Sequence, residues 1–298
     1  MNYHQPVLLH ASLEGLSIDP TGNYVDVTYG GGGHTMEILK QLTTGKLYAF
    51  DQDEDAEKNK IIHPNLVFVR QNFRHLKNNL RLLKALPVKG ILADLGVSSH
   101  QFDTAERGFS IRFDAALDMR MDRKSVKTAQ SILNEYSEDS LRAIFKLYGE
   151  LANSAKLAYR IVHQRKEKAI RTVEDLKIVM GPLITRGKEN QYMAQVFQAL
   201  RIEVNDELEA LKELLIQSLD VLDTKGRLVV ISYHSLEDRL VKNFMRKGKF
   251  EGELEKDFFG NTYTPFNQIT KKPIVPESEE MLQNPRSRSA KLRIAEKK

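Results

Sequence analysis

The chain has 298 residues, of which 41% are hydrophobic and 29% are charged, as expected for a soluble globular protein of one large domain or two modest ones. Because it contains no cysteine, thiolate catalysis, disulfides and cysteine-ligated metal sites are excluded. The formal net charge of +5 suits an anionic partner, and the sequence lacks an apolar run long enough to span a membrane. The first residues also lack the basic and apolar regions of a signal peptide, so we expect a cytoplasmic protein.

The most informative segment is a predicted strand that leads into four consecutive glycines, residues 30–33. A helix is predicted to follow, and a second strand ends at Asp51, 21 residues after Gly30. Glycines permit a sharp turn and close approach of a ligand, and a carboxylate at the end of the second strand can accept hydrogen bonds from ribose hydroxyls. The pattern therefore predicts the first βαβ unit of a nucleotide-binding sheet.

Two ligand classes fit this glycine loop. Gly30 and Gly32 match the dinucleotide pattern G-x-G-x-x-G, but the third position is Thr35. S-adenosylmethionine also suits a glycine loop followed by a ribose-binding acid. A turn that binds nothing is disfavoured, because four glycines destabilise an ordered loop. The motif alone leaves a methyltransferase and a dehydrogenase open.

Two further strands are predicted, over residues 65–73 and 89–99, with a helix near 75–85 between them. Asp94 lies in the second of these strands. Because ligands bind at the carboxyl ends of parallel strands, Asp51 and Asp94 should face the same crevice, although Asp94 could instead cap the following turn. Phe73 is expected to contact an adenine ring or, alternatively, the core.

The remaining sequence changes from sheet to helix and back. Helices are predicted to begin at Ser137 and Thr172, and no strand is predicted over 103–205. A helix over 205–222, a strand over 225–235 and a final strand over 289–296 follow, with a long mobile loop over 247–285. We therefore predict an α/β fold, with a Rossmann-like sheet formed by 1–104 and 206–298 and an all-helical insertion over 105–205.

The segment that ends the fifth strand carries His234 and Ser235. Neighbouring side chains on an extended strand point in opposite directions, and Ser235 lacks a G-x-S-x-G elbow, so a Ser–His triad is excluded. Two roles stay open for Ser235: capping the next helix, with Asp238 at the third helical position, or contacting the substrate.

Basic residues interleaved with aromatic ones predict an RNA contact or a cofactor lid in one segment, although a salt-bridged loop would have the same composition. Spaced cations near the end of the sequence predict phosphate contacts, although a solvated surface would look the same. The candidates are Arg107, Arg112 and Arg120, with Arg123, Phe109 and Phe113 nearby, and Arg286 and Arg288, followed by Lys291 and Arg293. His4, His10 and His34 do not have metal-ligand spacing with acidic residues, so we expect no catalytic metal.

Several motifs together resemble one family. These are H-Q-P-V-L-L, G-G-G-G-H, D-L-G-V-S-S, R-G-F-S, L-D-M-R-M-D, F-Q-A-L-R-I, Y-H-S-L-E-D-R and N-P-R-S-R-S-A-K-L-R, in this order from His4 to Lys297. The ordered set is similar to that of the bacterial small-subunit ribosomal RNA cytosine-N4 methyltransferases, the RsmH (MraW) family. His100, Ala116 and Gln195 depart from the family pattern.

The resemblance implies a class I methyltransferase that uses S-adenosyl-L-methionine to methylate the N4 amine of a cytidine in the decoding region of small-subunit rRNA. The partner would be that RNA or the 30S particle, with a homodimer left open. The implied cofactor residues are Gly32, Gly33, His34, Asp51, Phe73, Asp94 and Gln101. Asp94, His234 and Ser235 are the catalytic candidates.

The Asn/Asp-Pro-Pro-aromatic loop of many amine methyltransferases is absent after the fourth strand. We therefore expect the 94–101 loop and the 233–235 turn to hold the base, and we assign no general base. An NAD-type oxidoreductase and a non-catalytic RNA-binding assembly factor are the alternatives.

Overall fold

The computed structural model describes residues 6–254, 258 and 264–298. The chain forms two compact units, one comprising Met1–Gly96 and Leu208–Lys298 and the other Val97–Glu207. All seven strands of the described residues lie in the first unit. None of the helices in the described ranges has the length and apolarity needed to cross a bilayer.

The sheet has the strand order β3-β2-β1-β4-β5-β7-β6. Strands β1 to β5 pair in parallel, whereas β7 runs antiparallel to both of its neighbours. The strands are β1 (Tyr24–Asp26), β2 (Leu47–Phe50), β3 (Leu66–Val69), β4 (Val88–Asp94), β5 (Leu222–Ser232), β6 (Phe266–Gln268) and β7 (Lys291–Lys297). The Rossmann-like α/β fold predicted from the sequence is confirmed.

Alternate residues of the central strands enter different hydrophobic clusters. Ile91 and Val230 belong to one cluster, whereas Leu92 and Val229 belong to another. Successive side chains on a strand point to opposite faces, so apolar residues are needed at both positions when both faces are covered. This explains why β4 and β5 read as continuous apolar runs.

Helices cover the sheet in the first unit and make up the second. They are α1 (Leu9–Leu16), α2 (Gly33–Leu39), α3 (Glu54–Lys58), α4 (Leu76–Leu82), α5 (Ser99–Asp103), α6 (Ala129–Glu135), α7 (Glu138–Leu147), α8 (Ser154–Glu167), α9 (Val173–Met180), α10 (Glu189–Asn205), α11 (Glu207–Val221), α12 (Ser235–Lys247) and α13 (Ser278–Gln283).

The helix starts predicted at Ser137 and Thr172 are confirmed. The Ser137 side chain accepts a hydrogen bond from the amide of Ser140 and caps α7. Thr172 and Asp175 form a reciprocal capping box at the start of α9. Each cap satisfies amides that have no partner within the helix, which is why these polar residues mark helix starts in the sequence.

Two sequence predictions about the sheet are wrong in detail. The third strand ends at Val69 rather than at residue 73, because the Asn72 side chain caps a 3-10 turn over Phe73–His75. The predicted loop over 247–285 contains β6 and α13, since β6 gains hydrogen-bonding partners along β7. Residues 255–257 and 259–263 of that segment lie outside the described residues.

Candidate active site

The glycine loop joins β1 to α2. Gly30 and Gly32 have left-handed backbone conformations, with φ of 52° and 76°. A Cβ on Gly32 would also lie 2.7 Å from the hydroxyl oxygen of Tyr29, whereas a Cβ on Gly31 would meet no atom within 4 Å. The loop thus requires glycine at position 32 for its own geometry, and Gly31 presents backbone to open space.

Asp51 follows β2 and holds this loop. Its Oδ2 accepts a hydrogen bond from the amide of Gly30 at 2.8 Å, and its Oδ1 accepts one from the amide of Asp53 at 2.9 Å. Burial raises the pKa of Asp51 to about 6, against the opposing effect of the two amides. A carboxylate oxygen can accept two hydrogen bonds, so Asp51 retains capacity for a ribose diol.

Asp94 ends β4, whose sheet neighbours are β1 and β5. Its Oδ1 accepts a hydrogen bond from the Tyr233 hydroxyl at 2.8 Å, and its Oδ2 lies 3.8 Å from Nδ1 of His34. The Asp94 side chain is 23% exposed. Burial raises the pKa of Asp94 to about 6, while His34 and the Tyr233 hydrogen bond act to lower it.

His34 lies in the first turn of α2 and is 6% exposed. Its Nε2 is 3.1 Å from the carbonyl oxygen of Val7, so this nitrogen donates and carries the proton. The other ring nitrogen, Nδ1, faces the carboxylate of Asp94 at 3.8 Å. Oδ2 of Asp94 can therefore accept a hydrogen bond from a bound amino group beside this ring.

Asp26 is a third carboxylate at this sheet edge, and the sequence reasoning missed it. It ends β1, is 1% exposed, and accepts hydrogen bonds from the Thr35 hydroxyl at 2.7 Å and the Thr28 amide at 3.1 Å. Burial raises the pKa of Asp26, and its charge raises the pKa of Asp51 and Asp94. The sequence pattern that could have identified Asp26 is an acidic residue at the end of a buried strand.

Tyr233 connects β5 to the same edge. Burial and the neighbouring Asp94 carboxylate raise the pKa of Tyr233 well above its ordinary value, so its hydroxyl stays protonated and donates. The amide of Tyr233 donates to Oε2 of Glu237 at 2.9 Å. The sequence reasoning placed the 233–235 turn near the substrate but did not select Tyr233 or the 2% exposed Glu237.

The prediction that Ser235 caps the helix with Asp238 is wrong. His234 caps α12, since its Nδ1 accepts from the amide of Glu237 at 3.4 Å, and its Nε2 lies 3.1 Å from Oε1 of Glu237. His234 thus caps α12 through Nδ1, while its buried Nε2 lies near the Glu237 carboxylate without a hydrogen bond, and a catalytic role of His234 stays a prediction. Ser235 begins α12 and is exposed, while Asp238 pairs with Arg293 at 2.7 Å.

Phe73 and Gln101 have local structural roles. Phe73 begins the 3-10 turn after β3 and packs, partly buried, against the hydrophobic core of the first unit. Gln101 belongs to the helical unit, where it forms a capping box with Ser98 at the start of α5 and is 5% exposed. A contact of either residue with a cofactor stays a prediction.

The expected RNA contact of Arg107 requires correction. Arg107 is 2% exposed, and its guanidinium donates to the carbonyl oxygens of Arg120 and Met121 at 2.9 and 3.3 Å. Its donors are therefore inside the helical unit, where a phosphate cannot reach them. Arg120 likewise binds Asp118 at 2.7 Å and the carbonyl oxygen of Ser125. Arg112 is exposed and stays an RNA-binding candidate.

The second basic segment also contains both buried, paired cations and accessible ones. Arg293 is 4% exposed and donates to Asp238, which Lys291 also approaches at 3.7 Å. Arg286 is half-buried and Arg288 is exposed, both in a 3-10 turn over Pro285–Ser289. RNA contact by Arg286 and Arg288 remains a prediction.

Comparison with known proteins identifies the family. The sequence model of the MraW methylase family matches residues 1–298. The chain belongs to that family. It is therefore a methyltransferase, and the oxidoreductase left open by the glycine motif is excluded. The cofactor of this family is S-adenosyl-L-methionine, in agreement with the sequence prediction.

Relatives extend along the whole chain. A ribosomal RNA small subunit methyltransferase H from Bacteroides thetaiotaomicron is 57% identical over 299 residues, covering 100% of this chain and 98% of that protein. The protein of the same name from Cytophaga hutchinsonii is 58% identical over 297 residues, covering 99% of each. The alignment with the solved structure of an rRNA methylase from Streptococcus thermophilus covers 100% of this chain and 98% of that protein. The two are 14% identical in sequence, and the TM-score is 0.44.

The carboxyl edge of the sheet in this MraW-family methylase fits the methyl donor. The open backbone at Gly31 allows close approach, and Asp51 offers acceptors to a ribose. Asp94 presents a carboxylate oxygen to an ammonium group, next to His34. The residues present in the first unit therefore suit a cationic nucleoside.

Proposed function

We propose that this methylase transfers a methyl group to the exocyclic N4 amine of a cytidine in the decoding region of small-subunit ribosomal RNA. Two observations support the substrate. Relatives that are 57% and 58% identical over almost their full lengths are named small-subunit rRNA methyltransferases. The ordered motifs also resemble those of the cytosine-N4 enzymes.

The proposed cofactor site lies at the carboxyl edge of β1, β2 and β4. Asp51 would accept from the ribose hydroxyls, the backbone of Gly32 and Gly33 would approach the ligand, and Phe73 would contact the adenine. Asp94 would accept hydrogen bonds from the amino group, and His34 would lie beside it. When bound, S-adenosylmethionine supplies a methyl group on a sulfonium sulfur.

The hydrogen bond between Tyr233 and Asp94 is the single observation that carries the chemical proposal. The exocyclic nitrogen of cytosine is a poor nucleophile, because its lone pair is delocalised into the ring. An acceptor that binds one N–H lets the nitrogen pyramidalise, and an oriented acceptor contributes through positioning. Asp94 is such an acceptor, since Tyr233 fixes one carboxylate oxygen and the other can accept two hydrogen bonds, one from the amino group of the cofactor and one from the N4 amine.

A strong general base is not required by this arrangement. The alkylated amine is a cation and loses its proton readily, so orientation of the amine matters more than proton abstraction. Asp94 therefore acts as a catalytic acceptor, and Tyr233 acts through Asp94 as a positioning residue. His234 and Glu237 hold the turn that places Tyr233.

We further propose that the two units have different functions. The unit that contains the sheet would bind the cofactor, and the helical unit over Val97–Glu207 would recognise the RNA. The unit boundaries differ by up to eight residues from the predicted division at 104/105 and 205/206, because β4 ends at Asp94 and the 97–104 segment packs with the helices.

Methyl transfer tests the proposal. Purified protein is incubated with labelled S-adenosylmethionine and small ribosomal subunits that lack the modification, and the nucleosides of the digested rRNA are identified. We expect label in N4-methylcytidine, and its loss in Asp94→Ala. Asp220→Ala is the matched control and should keep full activity. Asp220 is an exposed residue of α11 that forms an ion pair with Lys77 of α4. Label in another nucleoside would contradict the proposed N4 specificity.

A further inference from the structure

We infer that the outer surface of α7 and α8 in the helical unit binds a single-stranded segment of the substrate RNA. This α7–α8 face comprises Arg142 and Lys146 on α7 and Lys156, Tyr159 and His163 on α8. The inference rests on the proposed function, because it specifies which surface of the helical unit binds the RNA. It also differs from the basic segments that the sequence singled out.

The residues of each helix share one side. Arg142 and Lys146 are four positions apart, and Lys156, Tyr159 and His163 follow at intervals of three and four. All five are exposed. The two helices pack against each other, and Arg142 and Lys146 line the same concavity as the start of α8. Residues of both helices therefore line this concavity.

The concavity has the features of a phosphate site. It has a volume of about 380 Å³ and is lined by Arg142 and Lys146 together with Ser154. Within the described residues, neither cation forms an ion pair or hydrogen bond with another side chain. Ser154 is 4% exposed. Two cations without ion-pair partners thus converge with a serine on one concavity.

The start of α8 adds to this site. The side chain of Asn153 does not cap the 14-residue helix, and among its first amides those of Ala155 and Lys156 have no backbone acceptor in the described ranges. An anion at a helix start is stabilised by these amides and by the helix dipole. Glu150 also lines the concavity, but it is a single exposed carboxylate against two cations. The local charge therefore favours a phosphate.

An exposed aromatic pair continues the face along α8. Tyr159 is 52% exposed, and its ring centroid lies 4.1 Å from that of His163 at an interplanar angle of 44°. Aromatic side chains beside cations are the usual platform on which unpaired bases stack. Lys156 precedes Tyr159 by three residues, so a base and a backbone phosphate can be bound together.

Two other cations of α8 have structural roles and do not belong to the α7–α8 face. Arg160 donates to the carbonyl oxygen of Val179 at 2.8 Å, and Arg165 donates to those of Leu133 and Tyr136 at 2.9 and 2.7 Å. These guanidiniums hold the helical unit together. A protein partner is disfavoured, because the large apolar side chains exposed on α7 and α8 are limited to Leu147 and Tyr159.

Steady-state methylation of small ribosomal subunits gives the first test. In Arg142→Glu/Lys146→Glu we expect the KM for subunits to rise about tenfold or more, with kcat changed less than about twofold and the affinity for S-adenosylmethionine unchanged. Arg186→Glu/Lys188→Glu makes the same charge change at exposed positions of the same unit and should leave KM within about twofold. Circular dichroism and thermal unfolding check that each variant folds.

Binding of a fluorescent single-stranded oligocytidylate gives a test that is independent of turnover. Replacing both cations by glutamine in Arg142→Gln/Lys146→Gln should reduce the slope of log affinity against log salt by about 1.4, because each neutralised phosphate contributes about 0.7 for a single strand. Tyr159→Ala should weaken binding about tenfold, whereas Tyr159→Phe should retain it, since the ring provides the stacking.

The outcomes separate the two proposals. An unchanged KM and an unchanged salt slope in the charge variants of the α7–α8 face, with normal methylation, would overturn the RNA-binding face and leave the proposed function standing. Oligonucleotide binding that depends on this face, combined with no methylation of any small-subunit RNA, would support the face and overturn the proposed function.

Discussion

The hydroxyl of Tyr233 donates a hydrogen bond to Oδ1 of Asp94 at 2.8 Å and so joins the ends of β5 and β4. On the other side of the carboxylate, Nδ1 of His34 lies 3.8 Å from Oδ2. The phenol can only donate to a carboxylate, so it orients Asp94 without neutralising it. In the proposed mechanism, Tyr233 therefore orients the acceptor for the amine.

Tyr233→Phe should lower kcat/KM for methyl transfer about tenfold at pH 7, because a hydrogen bond to a charged group contributes roughly 1.5–3 kcal/mol. The variant should also move the acid limb of the pH profile upward, since the Tyr233 hydrogen bond lowers the pKa of Asp94. The measurement is steady-state methylation between pH 5 and 8.

Tyr48→Phe is the control for this change. Tyr48 is 5% exposed, and its hydroxyl forms no hydrogen bond within the described residues, so the substitution removes a phenolic oxygen from a largely buried side chain on β2. A similar loss of rate and a similar pH shift in both variants would show that Tyr233 has only a structural role.

The pH dependence of the wild-type enzyme follows from the two carboxylates. The pKa of Asp94 and that of Asp51 are both raised to about 6 by burial. Each accepts hydrogen bonds from the ligand more strongly when ionised, so kcat/KM should rise with pH up to about 6 and then level off. Asp94→Asn should lose its own contribution to that limb. A rate that is independent of pH across this range would contradict the assignment.

Asp94→Asn should stabilise the protein above pH 7 while it impairs methylation. The pKa of Asp94 is about 6 in the folded chain, above its ordinary value of 3.8, so the stability that Asp94 contributes below pH 4 is lost as pH rises through 6. An amide removes that loss, which we expect to be about 1–2 kcal/mol after screening by solvent. Thermal unfolding at pH 8 should show the gain, and unfolding at pH 4 should show almost none.

Gly31→Ala should weaken cofactor binding without changing stability, whereas Gly32→Ala should lower the stability of the fold. At Gly31 an added Cβ meets nothing, so the fold should be unchanged, but the methyl group would occupy the open side of the loop and weaken binding of S-adenosylmethionine. At Gly32 the left-handed backbone should cost about 1–2 kcal/mol of unfolding free energy. Calorimetric titration and thermal unfolding of both variants distinguish these effects. Unchanged cofactor affinity in Gly31→Ala would place the ligand elsewhere.

Arg107→Met should destabilise the helical unit by about 2–4 kcal/mol, because the buried carbonyl oxygens of Arg120 and Met121 would lose their donor. Arg112→Met, at an exposed position, should change stability by less than about 0.5 kcal/mol. Chemical denaturation measures both. Equal stabilities of the two variants would show that the Arg107 contacts contribute little to the fold.

Some of the site follows from sequence because local patterns encode it. Apolar runs that end in an acid placed Asp51 and Asp94 at strand ends, and parallel pairing then brings such ends to one edge. The same logic would have found Asp26. The cap at Ser137 was also predictable, because its partner lies only three residues away.

The tertiary structure alone decided which polar groups meet. Tyr233 and Asp94 are separated by 139 residues, and their contact depends on the pairing of β4 with β5, which no local pattern specifies. Burial likewise separated Arg107, which binds carbonyl oxygens inside the helical unit, from Arg142, which faces an open concavity. The sequence by itself determined the family, the fold and the strand-end acids, because these follow from residue type and short spacing. The partners and exposure of each charged side chain depend on which distant segments pack against it.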